Sequence, residues 1–154
     1  MTPHDTAPDA VAGLRAWARG VYATEAAVEL LVRFQGGRFA QPGQPWIMPD
    51  TDEGWYWLEP DHLTGLGAAC LSGGERRLLA IVASLTGGAP VDLGDALAGL
   101  DRDTVTLVLA AVAHASGSHE HADMVIDPDR GVGFAGGRLP SLYPWPKTTP
   151  GVSS

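Results

Sequence analysis

Three of the five histidines, His114, His119 and His121, fall in one short stretch with Glu120 and Asp123 among them. No other cluster in the sequence has side chains that suit a transition metal. If residues 119–123 are extended, His119, His121 and Asp123 share one face. Two imidazoles and a carboxylate then make a facial triad with open positions, as in some zinc or iron hydrolytic and oxidative sites, and His114 reaches in from a preceding helix end. The competing reading is a solvated loop in which His114 complements a helix C-terminus and the other rings face water.

A second constellation is Leu71-Ser72-Gly73-Gly74-Glu75-Arg76-Arg77. Ser72 and Glu75 have the S-x-x-E spacing of a capping box, and a helix opening on Ser-Gly-Gly also offers backbone N–H groups to an anion at Ser72, Gly73 and Gly74. The heptapeptide resembles the LSGGQ signature of ABC-type ATPases, a likeness that runs on loosely to Asp101. It implies contact with the γ-phosphate of a nucleotide held by an opposite subunit. The chain departs from that family where hydrolysis is carried out: its only lysine, Lys147, lies in a Pro-rich stretch far from any Walker A loop, and Asp95 lacks the following glutamate of a Walker B strand. Helix capping is therefore the preferred role, with a nucleotide-responsive accessory to an ATPase as an alternative. The same block, with its SGGE, ASL and DAL-GLD portions, is also similar to small proteins of high-GC bacteria that carry no assigned activity. That resemblance implies a helical fold and no catalytic residue.

The third constellation is aromatic. Trp46, Trp55, Tyr56 and Trp57 stand among Asp50, Asp52, Glu53, Glu59 and Asp61, in a stretch where Pro42, Pro45, Pro49 and Pro60 forbid a continuous helix or a central strand. The rings either pack over the core and fix the loop, or remain exposed as anchors for a protein partner. If residues 55–58 are extended, Trp55 and Trp57 share one face and Tyr56 and Leu58 the other.

Other chemistry is weaker. Gly-x-Ser-x-Gly occurs nowhere, and Ser116-Gly117-Ser118 lacks the strand-to-helix setting of a nucleophile elbow. Cys70, the only cysteine, sits among Leu66, Ala68, Ala69 and Leu71, which predicts a buried structural thiol. The net charge is −8, and the imbalance lies in two segments: residues 39–63 carry five acids and no Lys or Arg, residues 91–130 eight acids and two Arg. General binding to nucleic acid or to an anionic membrane is disfavoured, while a basic protein partner is compatible. A helix-turn-helix over residues 9–36, using Arg15, Arg19, Arg33 and Arg38, is disfavoured too, because residues 1–38 carry four acids against those four bases. The opening residues read as neither a signal peptide nor a membrane span, so a reducing cytoplasm is the expected address.

The elements that must position these groups are helical. Asp9 caps a helix over Val11, Leu14, Trp17, Ala18 and Val21, and Thr24 caps a second one that stops at Gly36-Gly37, with Glu29 and Arg33 paired at i, i+4. A short helix opens at Pro60. The Ser72 helix runs to Leu85 at the centre of the core, a brief turn occupies residues 91–99, and Asp101 caps a last helix to Ala115 with Val105, Val108, Leu109 and Val112 on one side. A small hairpin follows, Met124–Ile126 and Val132–Ala135 around Asp127-Pro128-Asp129-Arg130-Gly131. The expected architecture is mainly α, a bundle of about five helices with a C-terminal β-hairpin. Residues 1–8 are expected to form a flexible tail, residues 9–138 one globular domain, and residues 139–154 an extended or disordered Pro-rich tail. The function expected is that of a small acidic, non-catalytic interaction or regulatory protein without a cofactor, its contact surface at Trp46, Trp55, Tyr56 and Trp57. The alternative is a metal-dependent enzyme using His119, His121 and Asp123.

Overall fold

Six α-helices and two antiparallel hairpins make up the fold in a computed structural model that describes residues 9–50 and 54–147. The helices are α1 (Ala10–Ala18), α2 (Tyr22–Arg33), α3 (Pro60–Thr64), α4 (Gly73–Leu85), α5 (Leu93–Ala98) and α6 (Arg102–Ala115). Strands β1 (Ile47–Pro49) and β2 (Tyr56–Leu58) form one hairpin, β3 (Ala122–Asp127) and β4 (Gly131–Arg138) the other. The mainly helical class expected from the sequence is the one observed. No helix among the described residues is long and apolar enough to cross a membrane.

The capping residues act as their types require. Asp9 accepts from Val11 N–H at 3.1 Å and Asp101 from Thr104 N–H at 2.8 Å. At α4 the capping box closes in both directions, with Glu75 N–H to Ser72 Oγ at 3.2 Å and Ser72 N–H to Glu75 Oε1 at 3.0 Å. Thr24 is not a cap. The second helix begins one turn earlier, at Tyr22, and Glu25 reaches back to accept Gly20 N–H at 3.1 Å. That helix ends at Arg33, where Gln35, Gly36 and Gly37 take left-handed dihedrals and turn the chain into a 3-10 segment, Phe34–Ala40.

The centre of the fold is α2 rather than α4. It packs against α1, α4 and α6, and its Ala26, Ala27, Leu30 and Leu31 are fully buried. Ala110 and Ala111 are equally buried on α6, so the α2–α6 pair is joined through small side chains that let the helix axes come close. Leu78, Leu79 and Val82 fill the α4 side, each fully buried leucine contributing roughly 1.5–3 kcal/mol.

The last helix is rotated relative to expectation. Thr104, Val108 and Ala111 face the core, whereas Leu109 is 46% and Val112 54% exposed. An alanine-rich face packs more closely against α2 than a valine–leucine face, so the small residues went inward. Cys70 is exposed, not buried, because the short Leu66–Ala68 turn places it outside the Leu63–Ala68 contact with the core.

The C-terminal hairpin is longer than predicted. Its turn is held by Asp129 N–H donating to Asp127 Oδ1 at 2.9 Å. Residues 139–147 are irregular but tied down. Leu142 N–H donates to Ser118 Oγ at 3.2 Å, and Arg33 Nη1 donates to the Pro146 carbonyl at 2.9 Å with its guanidinium over the Trp145 ring. The expected N-terminal tail, residues 1–8, and the end of the chain from 148 lie outside the described residues.

Candidate functional site

The aromatic stretch folds into the β1–β2 hairpin, whose register pairs Ile47 with Leu58, Met48 with Trp57 and Pro49 with Tyr56. Pairing sends alternate side chains to opposite faces. Tyr56, Leu58 and Ile47 go inward, Trp57 and Met48 are half-buried, and Trp55, just before the second strand, is 43% exposed. Gly13 of α1 allows this approach: a Cβ there would lie 3.0 Å from the Tyr56 ring and 3.2 Å from its backbone nitrogen. Trp46 is 1% exposed, with its indole N–H donating to the Phe39 carbonyl at 2.7 Å and Phe39 stacked on Phe34. Of the four proposed contact residues, Trp46 and Tyr56 are therefore core, since a hairpin this short needs one apolar face against the helices to be stable. Trp55 and Trp57 stay at the surface. Glu59 caps α3 beside them and Asp61 is exposed, while Asp52 and Glu53 lie outside the described residues.

The histidines come together in a way the linear spacing does not show. A 3-10 turn, Ser118–Glu120, replaces the extended run needed for a triad of His119, His121 and Asp123. His119 turns back so that its ring stacks on His114 with centroids 4.4 Å apart and planes 19° apart, and Tyr22 stands edge-on to both. His121 is exposed, and the Asp123 side chain lies outside the described ones. Imidazole lone pairs lie in the ring plane, so two nearly parallel stacked rings do not aim at one point. Among the described residues no three His, Cys, Asp or Glu side chains are arranged to hold a metal ion.

What the sequence reading missed is Glu25. Its carboxylate accepts from His114 Nε2 at 2.9 Å across 89 positions of chain. Burial pushes the Glu25 carboxyl up, but hydrogen bonds from His114 and Gly20 and the nearby imidazoles outweigh it and hold the group below its ordinary value. One turn further along α2, Glu29 takes Arg15 Nε at 2.6 Å and Arg33 Nε at 3.2 Å. Burial again raises the carboxyl, and the two guanidinium groups bring it below the ordinary range. These side chains border an open groove of about 260 Å³ lined by Arg15, Arg19, Glu25, Val28, Glu29 and His114. Among the described residues that line it there is no serine, threonine or cysteine. The Glu25–His114 contact could not be read locally, since nothing near Glu25 in sequence marks it.

The Ser72 start holds its own anions. The Glu75 carboxylate takes the Ser72 N–H, and Ser72 backbone and hydroxyl hydrogen bonds keep its carboxyl below the ordinary range. The depression beside it, about 100 Å³, is also bordered by Asp101, the cap of α6. Two carboxylates at the mouth oppose the charge of a phosphate.

No family model, curated protein or solved structure matches the chain.

Proposed function

We propose that this is a small acidic interaction protein of the cytoplasm that docks a basic, partly apolar segment of a protein partner on the outer face of the β1–β2 hairpin. The observation that carries the reading is the split of one aromatic run: Tyr56 and Leu58 are spent on the core, while Trp55 and Trp57 are left beside each other's strand positions and next to Met48. Tryptophan is enriched in binding hot spots because its large, rigid ring loses little entropy on contact. The partner's charge follows from the surroundings, since residues 39–63 contain five acids and no Lys or Arg. The capped Ser72 helix and the stacked histidines give less support to a nucleotide or metal reading.

A selection from a random peptide library tests this. Enriched peptides should combine Lys or Arg with an apolar anchor, quench Trp55 fluorescence, weaken with added salt, and lose binding to a Trp55→Ala/Trp57→Ala variant. No enrichment, or enrichment that this variant retains, overturns the reading.

A further inference from the structure

A depression of about 360 Å³ between α1, α2, α6 and the Pro146–Lys147 segment gathers three cations, Arg15, Arg33 and Lys147, the last being the only lysine of the chain. From this gathering we infer a binding site for a small carboxylic acid with an apolar body. The chain as a whole carries −8, so three positive side chains converging from three separate segments run against its general charge. Like charges brought together by folding repel one another, and an anion relieves the repulsion. Among the described residues Glu29 is the one carboxylate paired with these cations, 2.6 Å from Arg15 Nε and 3.2 Å from Arg33 Nε. Asp9 attracts Arg15 from further off, its own carboxylate accepting Val11 N–H. One paired carboxylate against three cations leaves positive charge in excess.

The donors left over after these pairings are what a ligand would use. Glu29 takes Arg15 Nε and Nη2 and Arg33 Nε, and the Pro146 carbonyl takes Arg33 Nη1. Arg15 Nη1, Arg33 Nη2 and Lys147 Nζ donate to none of the described residues. Because Arg33 is fixed through two of its nitrogens and lies over the Trp145 ring, its third nitrogen is held in place, so an incoming carboxylate meets a prearranged donor. The rest of the lining is Val32, Leu107 and Pro146, and Gly36 adds no side chain to it. Apolar walls beside a few charged groups suit a hydrocarbon body carrying one carboxylate, and they offer nothing to the remaining oxygens of an inorganic phosphate. The acidic remainder of the chain repels a polyanion, whereas a single carboxylate responds chiefly to the cations within a few ångströms. No residue of the β1–β2 hairpin lines the depression, so this site is separate from the docking face proposed above.

Titration of the full chain with isocaproate at fixed ionic strength, followed by heteronuclear NMR, tests the site. The expected result is a saturable shift of the Val32, Gly36 and Leu107 amide signals, with much weaker binding of the uncharged isocaproamide and of inorganic phosphate. Lys147 is exposed and bonds to none of the described residues, so Lys147→Glu should keep the parent's melting temperature while weakening isocaproate by about tenfold or more, and Lys147→Arg should keep the parent's affinity. The comparison of acid with amide uses the parent alone and decides the matter should Lys147→Glu disturb the fold. No saturable shift, shifts confined to other parts of the chain, equal binding of acid and amide, tighter binding of phosphate than of isocaproate, or full affinity in a folded Lys147→Glu overturns the inference.

Discussion

His114 and Glu25 meet at 2.9 Å, joining the C-terminal turn of α6 to the first turn of α2. The pair shares one side of α2 with Glu29, which bridges Arg15 of α1 and Arg33 of its own helix. A single helix face thus carries the polar side-chain links between three helices.

The acid response of the protein follows from these links. Glu25 and Glu29 have folded-state values below the 4.5 of the unconstrained group, so the unfolded chain binds more protons in acid. Their stabilisation is complete above that value and is lost as pH falls through the lower, folded values. Glu29→Gln should lower stability by about 1 kcal/mol at neutral pH, a figure reduced for partial exposure, and by much less in strong acid. Urea titrations of both proteins across the acid range measure the difference; parallel curves would sink the prediction.

The two kinds of tryptophan should separate cleanly. Trp46→Phe keeps a ring but strands the buried Phe39 carbonyl and is expected to cost roughly 1–3 kcal/mol. Trp55→Ala should stay within about 0.5 kcal/mol of the parent while removing the component of emission most accessible to acrylamide. Denaturant melts and quenching curves on the two variants check this.

Gly13→Ala reverses an ordinary expectation. Replacing a helical glycine by alanine usually stabilises by up to about 1 kcal/mol. Here the added methyl would press on the Tyr56 ring and backbone, so α1 and the β1–β2 hairpin must part, and a net loss of about 1–2 kcal/mol is expected. An increase in melting temperature would contradict the close packing.

Ser72→Ala should cost about 1 kcal/mol through the lost cap. Neither parent nor variant should gain melting temperature from inorganic phosphate or from ATP with magnesium, because Glu75 already takes the Ser72 amide and Asp101 borders the same depression. Saturable stabilisation of the parent by either ligand would show that the carboxylate yields its place.

Local signals made much of the fold legible. Ser72 with Glu75, Asp9 and Asp101 set helix starts through hydrogen bonds that span only a few residues, and Gly36-Gly37 marked a stop. What failed depended on distant partners. The buried face of α6 was decided by alanines fitting against α2, not by its own larger apolar residues, so Leu109 and Val112 ended outside. Cys70 was read from neighbours in sequence, whereas its exposure is set by a short turn. For the candidate site, alternation correctly split Trp55 and Trp57 from Tyr56 and Leu58 once the strand existed, but nothing along the chain announced Trp46 bonding to Phe39 or His119 stacking on His114.

The clasp between Arg33 and the Trp145–Pro146 stretch spans 113 positions, and both groups belong to the periphery of the central helix. A nascent chain emerging from the ribosome would therefore present α2 long before its last neighbours exist. The apolar side meant for α6 would stay wet until residues 102–115 had been made, and the guanidinium meant for the indole until residue 145 had. The last contacts of α2 therefore close only after the segments that make them have been synthesised.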